Sequence, residues 1–163
     1  MNAQINARAH PERAEPWPGD RGRGPAFVPR GAAEAQLVAV ARVLSSCGGM
    51  VAADDLAGLL RGRVEQPLST VARWIVAREV VSVAWRARTL LPLFQFDLAS
   101  ARVRAPVATV VSELVDVFDD GELARWFAEP NVLLGNISPV QRISADPGAV
   151  LAAARADRFI ARG

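Results

Sequence analysis

The chain has 163 residues, 51% of them hydrophobic, with 19 basic residues, 17 acids and a formal net charge of +2, enough length and apolar content for one ordinary domain or two small ones. No stretch approaches the roughly 20 continuous apolar residues of a membrane span, residues 1–30 lack the apolar core of a secretory signal, and the single cysteine, Cys47, forms no internal disulfide, so a cytoplasmic location is expected. With no tyrosine and a single histidine, His10, the chain also lacks the usual general bases and nucleophile–base pairs, so it is expected not to be an enzyme and to need no metal or other cofactor.

Residues 1–30 carry five prolines and several glycines without apolar periodicity and read as a disordered, Arg-bearing arm. From Ala33, the residues Leu37, Val40, Ala41 and Leu44 follow the i, i+3, i+4, i+7 spacing of an amphipathic helix that ends at Gly48-Gly49. Asp54 and Asp55 open a short helix with Leu56, Leu59 and Leu60, which Gly62 terminates. Pro67 starts a third helix through Leu68, Val71, Ala72 and Ile75, with Ser69, Thr70, Arg73 and Arg78 on the other faces. Two β-rich runs, Val80–Trp85 and Leu90–Phe96, joined by Arg86-Ala87-Arg88, read as a hairpin. Asp97–Ala105 reads as a connector.

Helix, turn, helix and hairpin, on Val71-Ala72-Arg73-Trp74-Ile75, Arg86-Ala87-Arg88 and Pro92-Leu93-Phe94-Gln95-Phe96, resemble an excisionase or MerR-like winged helix-turn-helix. That resemblance implies DNA contact by Gln66, Ser69, Thr70 and Arg73 in a major groove, and by Arg86 and Arg88 on a wing over phosphates; the plain alternative is a folded spacer with solvated arginines.

Beyond Pro106 the acid balance reverses: residues 31–105 hold nine Arg against six acids, residues 106–163 five Arg against eight. Pro106 begins a helix through Val107, Val110, Val111, Leu114, Val115 and Phe118, broken by Asp119-Asp120-Gly121. Glu113, Asp116, Asp119, Asp120 and Glu122 read as an acidic helix junction with a cap, and no metal-ligand spacing follows. A helix over Glu122–Glu129 must stop at Pro130, because proline has no N–H to give the ladder and pushes its predecessor out of the helical region. Asp146-Pro147-Gly148 then reads as an N-cap and a Pro at the first helical position of an Ala-rich last helix.

Ala124 and Trp126, Pro130-Asn131, Leu134-Gly135, Pro139, then Val150 and Leu151 with Gly163 at the end, resemble the toxin-binding domain of Xre/MbcA/ParS-type antitoxins. Asn136 stands where many relatives carry a second glycine. The resemblance covers about residues 106–163. It implies a cognate protein toxin as partner, often a RES-domain enzyme that consumes NAD, a homodimer, and Arg158, Arg162 and Gly163 near the toxin mouth; a frayed, solvated helix end is the bland reading of those three.

The expected fold is mainly α: a helix-turn-helix with a small β-hairpin wing over residues 31–105, followed by a helical toxin-binding unit over 106–163. The expected function is that of an antitoxin of a type II toxin–antitoxin pair, which binds its toxin and regulates its own operator DNA. The alternative is a DNA-binding regulator or orphan adaptor without a toxin.

Overall fold

The amphipathic stripe at the start of the folded chain forms helix α1, Ala32–Ser45, which buries Leu37, Val40, Ala41 and Leu44. It ends before Gly48 and Gly49, both at positive φ. The computed structural model describes residues 31–163; the expected arm over 1–30, with His10, lies outside them.

Strand β1, Met50–Ala52, leads into α2, Ala53–Leu59, and a seven-residue connection into α3, Pro67–Val76. The hairpin follows as β2, Val83–Trp85, and β3, Arg88–Pro92, with Trp85 opposite Arg88 across the two-residue turn Arg86-Ala87. Arg86 sits at φ 53, a left-handed position that usually favours glycine. β1 pairs antiparallel with the far side of β3, Ala52 opposite Leu90 and Met50 opposite Pro92, so the sheet order is β1-β3-β2. Sequence reading missed β1: three residues are too short to establish an alternation, and the partner strand lies about forty residues on.

The stretch Asp97–Ala105 is more than a connector. β4, Phe96–Asp97, and β5, Arg102–Val103, pair antiparallel. The turn between them closes on the Asp97 carboxylate, which accepts from the Ser100 hydroxyl at 2.6 Å and from the Ser100 and Ala99 amides. Those hydrogen bonds, the hydroxyl first, hold the Asp97 pKa below its ordinary value.

Four helices complete the chain: α4, Ala105–Leu114; α5, Asp120–Ala128; α6, Pro139–Arg142; and α7, Pro147–Arg162. α4 stops at Leu114, short of the Phe118 that periodicity suggested, and α6 is a single turn that periodicity cannot reveal. Asp119 and Glu122 form a reciprocal capping box at the start of α5, and Asp146 accepts from the Ala149 amide at 3.0 Å to cap α7. The described residues are thus mainly helical, with seven α-helices and small antiparallel sheets.

Strand alternation divides the interior. Leu90 of β3 faces a core built with α1 and α4–α7, through Leu44, Leu114, Phe127, Ile143 and Val150, whereas its neighbour Leu91 faces a second core with Leu56, Leu60, Val71 and Trp74 of the α2–α3 layer. The first core therefore runs across residue 106, where the charge balance changes sign.

Arg78 joins the two layers. It follows the last residues of α3 at φ 52, where the Glu79 amide bonds back to Trp74 O at 2.9 Å, the place where a helix end usually carries glycine. Arginine occupies it because its guanidinium reaches the α4–α5 corner, donating to Val115 O at 2.6 Å, Phe118 O at 2.8 Å and Asp120 Oδ1 at 3.1 Å. Charge-assisted hydrogen bonds of this kind contribute more than the left-handed backbone costs, so Arg78→Gly is expected to lower stability by about 2 kcal/mol despite relieving the backbone, and Arg78→Ala by about 1 kcal/mol more. Urea unfolding midpoints check this; a stabilised glycine variant would show that the clamp contributes nothing.

Candidate partner-docking surface

Pro130 ends α5, and Asn131 then uses each of its polar atoms. Its amide and carbonyl bond to Ile137 O at 3.2 Å and to the Leu134 and Asn136 amides; its side-chain Oδ1 accepts from the Leu133 amide at 2.9 Å. Its Nδ2 donates to Asp157 Oδ2 of α7 at 2.8 Å, and the Trp126 indole N–H donates to the same oxygen at 2.7 Å. One carboxylate oxygen thus ties the end of α5, the Pro-Asn turn and the last helix together. Trp126 is half-buried and meets Phe127 edge-on, with ring centroids 5.1 Å apart, so its apolar part belongs to the core and its N–H to the turn.

The turn closes through Gly135 at φ 69 and Asn136 at φ 62. A Cβ on Gly135 would meet nothing within 4 Å, so backbone conformation rather than space selects glycine there. Leu134 points into the core and Pro139 is buried at the first turn of α6. Pro130 is exposed. Between these anchors the segment leaves its other apolar side chains outside: Val132 is 80% exposed, and Leu133 and Ile137 are also in solvent. On α7, Phe159 is 79% and Ile160 72% exposed. Contiguous exposed apolar patches mark interaction surfaces, which makes these side chains the candidates for one.

A neighbouring flank of α7 is a ladder of charge. Arg155 and Arg158 both grip Glu113 of α4, the former at 2.9 Å, and Arg162 reaches Asp116 at 3.4 Å. Arg158 is therefore engaged with α4 and Arg162 with the residues just after it, rather than loose at a frayed end. Gly163 closes the helix with its amide 3.2 Å from Ile160 O. Glu113 and Asp116, which the sequence placed with the junction acids, serve α7 instead. The Arg155 hydrogen bond, with the nearby Arg158 and Arg162 charges, holds the Glu113 pKa below its ordinary 4.5 against the opposing effect of desolvation.

On the other layer, Gln66, Ser69 and Arg73 are exposed along one face of α3 and Thr70 is half-buried beside them. Arg86 lies over the Trp85 ring at 5.5 Å, and Arg88 bonds Asp55 at 3.3 Å. An apolar stripe runs next to the polar one, with Leu68 and Val76 exposed on the same helix. Asp119 is used in its cap and Asp120 by Arg78, and among the described residues no group of His, Cys, Asp or Glu is arranged to hold a metal ion. Cys47 is half-buried with the Ser46 hydroxyl 3.6 Å from its sulfur. No helix of the described residues is long and apolar enough to cross a membrane.

Sequence reasoning missed Asp157, although its place three residues before Ile160 and one before Arg158 offered no local signal. The Arg155, Arg158, Arg162 spacing did offer one, because i, i+3, i+7 lies on a single helix face and matches Glu113 and Asp116 at i, i+3.

Asn131→Asp would set a carboxylate against Asp157 and is expected to cost at least about 2 kcal/mol at pH 7 by denaturant unfolding, more than Asn131→Ala, with part recovered in acid. Because Glu113 prefers its ionised form in the folded state, its contribution is complete above about pH 4.5 and is lost as pH falls through the lowered folded value; Glu113→Gln should flatten that acid limb of the stability curve. An unchanged acid limb would assign it to other carboxylates. Compared with protein-family models, with curated proteins and with solved structures, the chain matches none of them.

Proposed function

We propose that this chain is an antitoxin-like binding protein of a type II toxin–antitoxin pair, whose C-terminal helices dock on and neutralise a cognate protein toxin. The observation that carries the reading is the exposed apolar set Val132, Leu133, Phe159 and Ile160, displayed on a turn and a helix that the Asp157 bonds hold in place. A pre-organised apolar surface binds without a large ordering cost, which is what a neutralising partner needs. The resemblance of the Trp126, Pro130-Asn131, Leu134-Gly135 and Pro139 pattern to Xre/MbcA/ParS-type antitoxins adds the class of partner, a NAD-consuming RES-domain toxin. Arg158, Arg162 and Gly163 then flank the docked surface, Arg158 held by Glu113 of α4 and Arg162 by Asp116 just beyond that helix.

In the same proposal the α2–α3 layer and hairpin form a winged helix-turn-helix on operator DNA. Its support is the succession α1, β1, α2, α3, hairpin, with β1 against the hairpin's second strand, and the exposed Gln66, Ser69, Arg73 and Arg86. Arg88 must leave Asp55 to reach a phosphate. The alternative, a DNA-binding regulator or adaptor without a toxin, keeps this half and treats the C-terminal surface as a homodimer contact.

Because the first core crosses residue 106, point variants test the proposal better than truncation. The tagged full chain co-expressed with the product of its neighbouring gene is expected to retain that product and abolish its toxicity. Leu133→Asp and Phe159→Asp are each expected to lose retention with thermal unfolding unchanged, whereas Arg73→Ala should weaken DNA binding and reduce its salt slope by about one unit without affecting retention. A harmless neighbour that is never retained, with self-association lost in the two aspartate variants, gives the alternative reading.

A further inference from the structure

The outward side of α3 is more apolar than its polar residues alone suggest. Val71 and Trp74 turn into the second core, and the exposed residues of the helix are Leu68, Ser69, Ala72, Arg73 and Val76. Leu68, Ala72 and Val76 repeat at i, i+4 and i+8, so they form one stripe about 12 Å long, with Ser69 and Arg73 running beside it. Leu68 is 64% and Val76 84% exposed, so these side chains contribute little to the core.

The surroundings of the stripe are basic. The connection before α3 and the helix itself expose Arg61, Arg63 and Arg73 against one acid, Glu65, an excess that suits a polyanion. Arginine and serine can serve phosphates and polar base edges, but Leu68, Ala72 and Val76 can do neither. In the major groove of duplex DNA the apolar group among the donors and acceptors of the base edges is the C5-methyl of thymine. Base pairs are stacked roughly 3.4 Å apart, so the stripe spans about three to four of them. A helix laid in the groove with this side inward therefore sets a row of apolar side chains against a short run of base pairs, while its arginines hold the backbone.

We propose that Leu68, Ala72 and Val76 read thymine methyl groups, so that the DNA this chain selects carries thymines in the base pairs under α3. This rests on the DNA reading of the α2–α3 layer. Duplexes selected by the full chain from a random double-stranded library test it, with each thymine of the selected site replaced in turn by deoxyuridine, which lacks only the methyl. Wild type is expected to bind each replacement under α3 about fourfold more weakly, as for one buried carbon. Leu68→Ala and Val76→Ala are each expected to bind the thymine duplex several-fold more weakly and to lose the deoxyuridine response at one position while keeping it elsewhere. Their salt slope and thermal unfolding stay at the wild-type values, unlike the slope of Arg73→Ala. A selected site without thymines, deoxyuridine duplexes bound as tightly as thymine ones, or variants that keep the full wild-type response overturn the proposal and leave the DNA reading standing. Failure to select any duplex overturns both, and self-association abolished by Val76→Ala would then give the stripe to a second copy.

Discussion

The C-terminal half depends on one oxygen. Asp157 Oδ2 receives the Trp126 indole N–H and the Asn131 amide, so a helix end, a turn and the last helix share a single acceptor. A charged acceptor with two short N–H donors is among the stronger arrangements a half-buried site can make, and removing it would strand both donors. Everything outside that anchor follows: Asn131 can order the turn because its Oδ1 still serves Leu133, and the turn can hold Val132 and Leu133 in water because its other residues are fixed. The Arg155, Arg158 and Arg162 ladder to Glu113 and Asp116 fastens a neighbouring flank of α7. The last helix is therefore stapled on two sides, leaving Phe159 and Ile160 turned outward. The exposed Arg162–Asp116 pair contributes little, and the mostly covered Glu113 carboxylate is the part of the ladder that holds the helix.

The two layers are similarly joined rather than merely adjacent. The small sheet presents Leu90 to one core and Leu91 to the other, and Arg78 reaches from the end of α3 into the α4–α5 corner. A left-handed arginine is an unfavourable choice for the backbone alone, and it persists because no glycine can make the clamp. Gln95, fully buried, repeats the device on a smaller scale: its side-chain amide bonds both Val81 N and Val81 O at 2.8 Å, completing backbone pairs that no strand supplies. A partner engaged on α7 and DNA engaged on α3 would act on the same folded body.

Much of this was legible in the residues where the signal is local. The α1 stripe, the proline starts of α3 and α7, the Asp146 cap, the stop at Pro130 and the existence of the hairpin all follow from spacing and capping chemistry, although the connection read as Arg86-Ala87-Arg88 is the two-residue turn Arg86-Ala87 and the second strand ends at Pro92 rather than Phe96. What escaped was short or distant. β1, β4, β5 and the one-turn α6 are too brief to carry a period, and the bonds of Asp157, Arg78 and Gln95 join residues 14 to 42 apart. Glu113 and Asp116 were visible, but their partners on α7 become neighbours only once the chain has folded. Of the candidate site, the framework residues were readable as a pattern, whereas the exposed Val132, Leu133, Phe159 and Ile160 emerge only when burial is known.

The central claim is that the turn after Pro130 and the outer face of α7 form one docking surface. Amide hydrogen exchange of the full chain, alone and in complex with the product of its neighbouring gene, tests it most directly. The account predicts slowed exchange at residues 131–137 and 157–162 together, with 66–76 unchanged in the absence of DNA. Protection confined to α3 and the hairpin, or none at either segment while the complex persists, would contradict it.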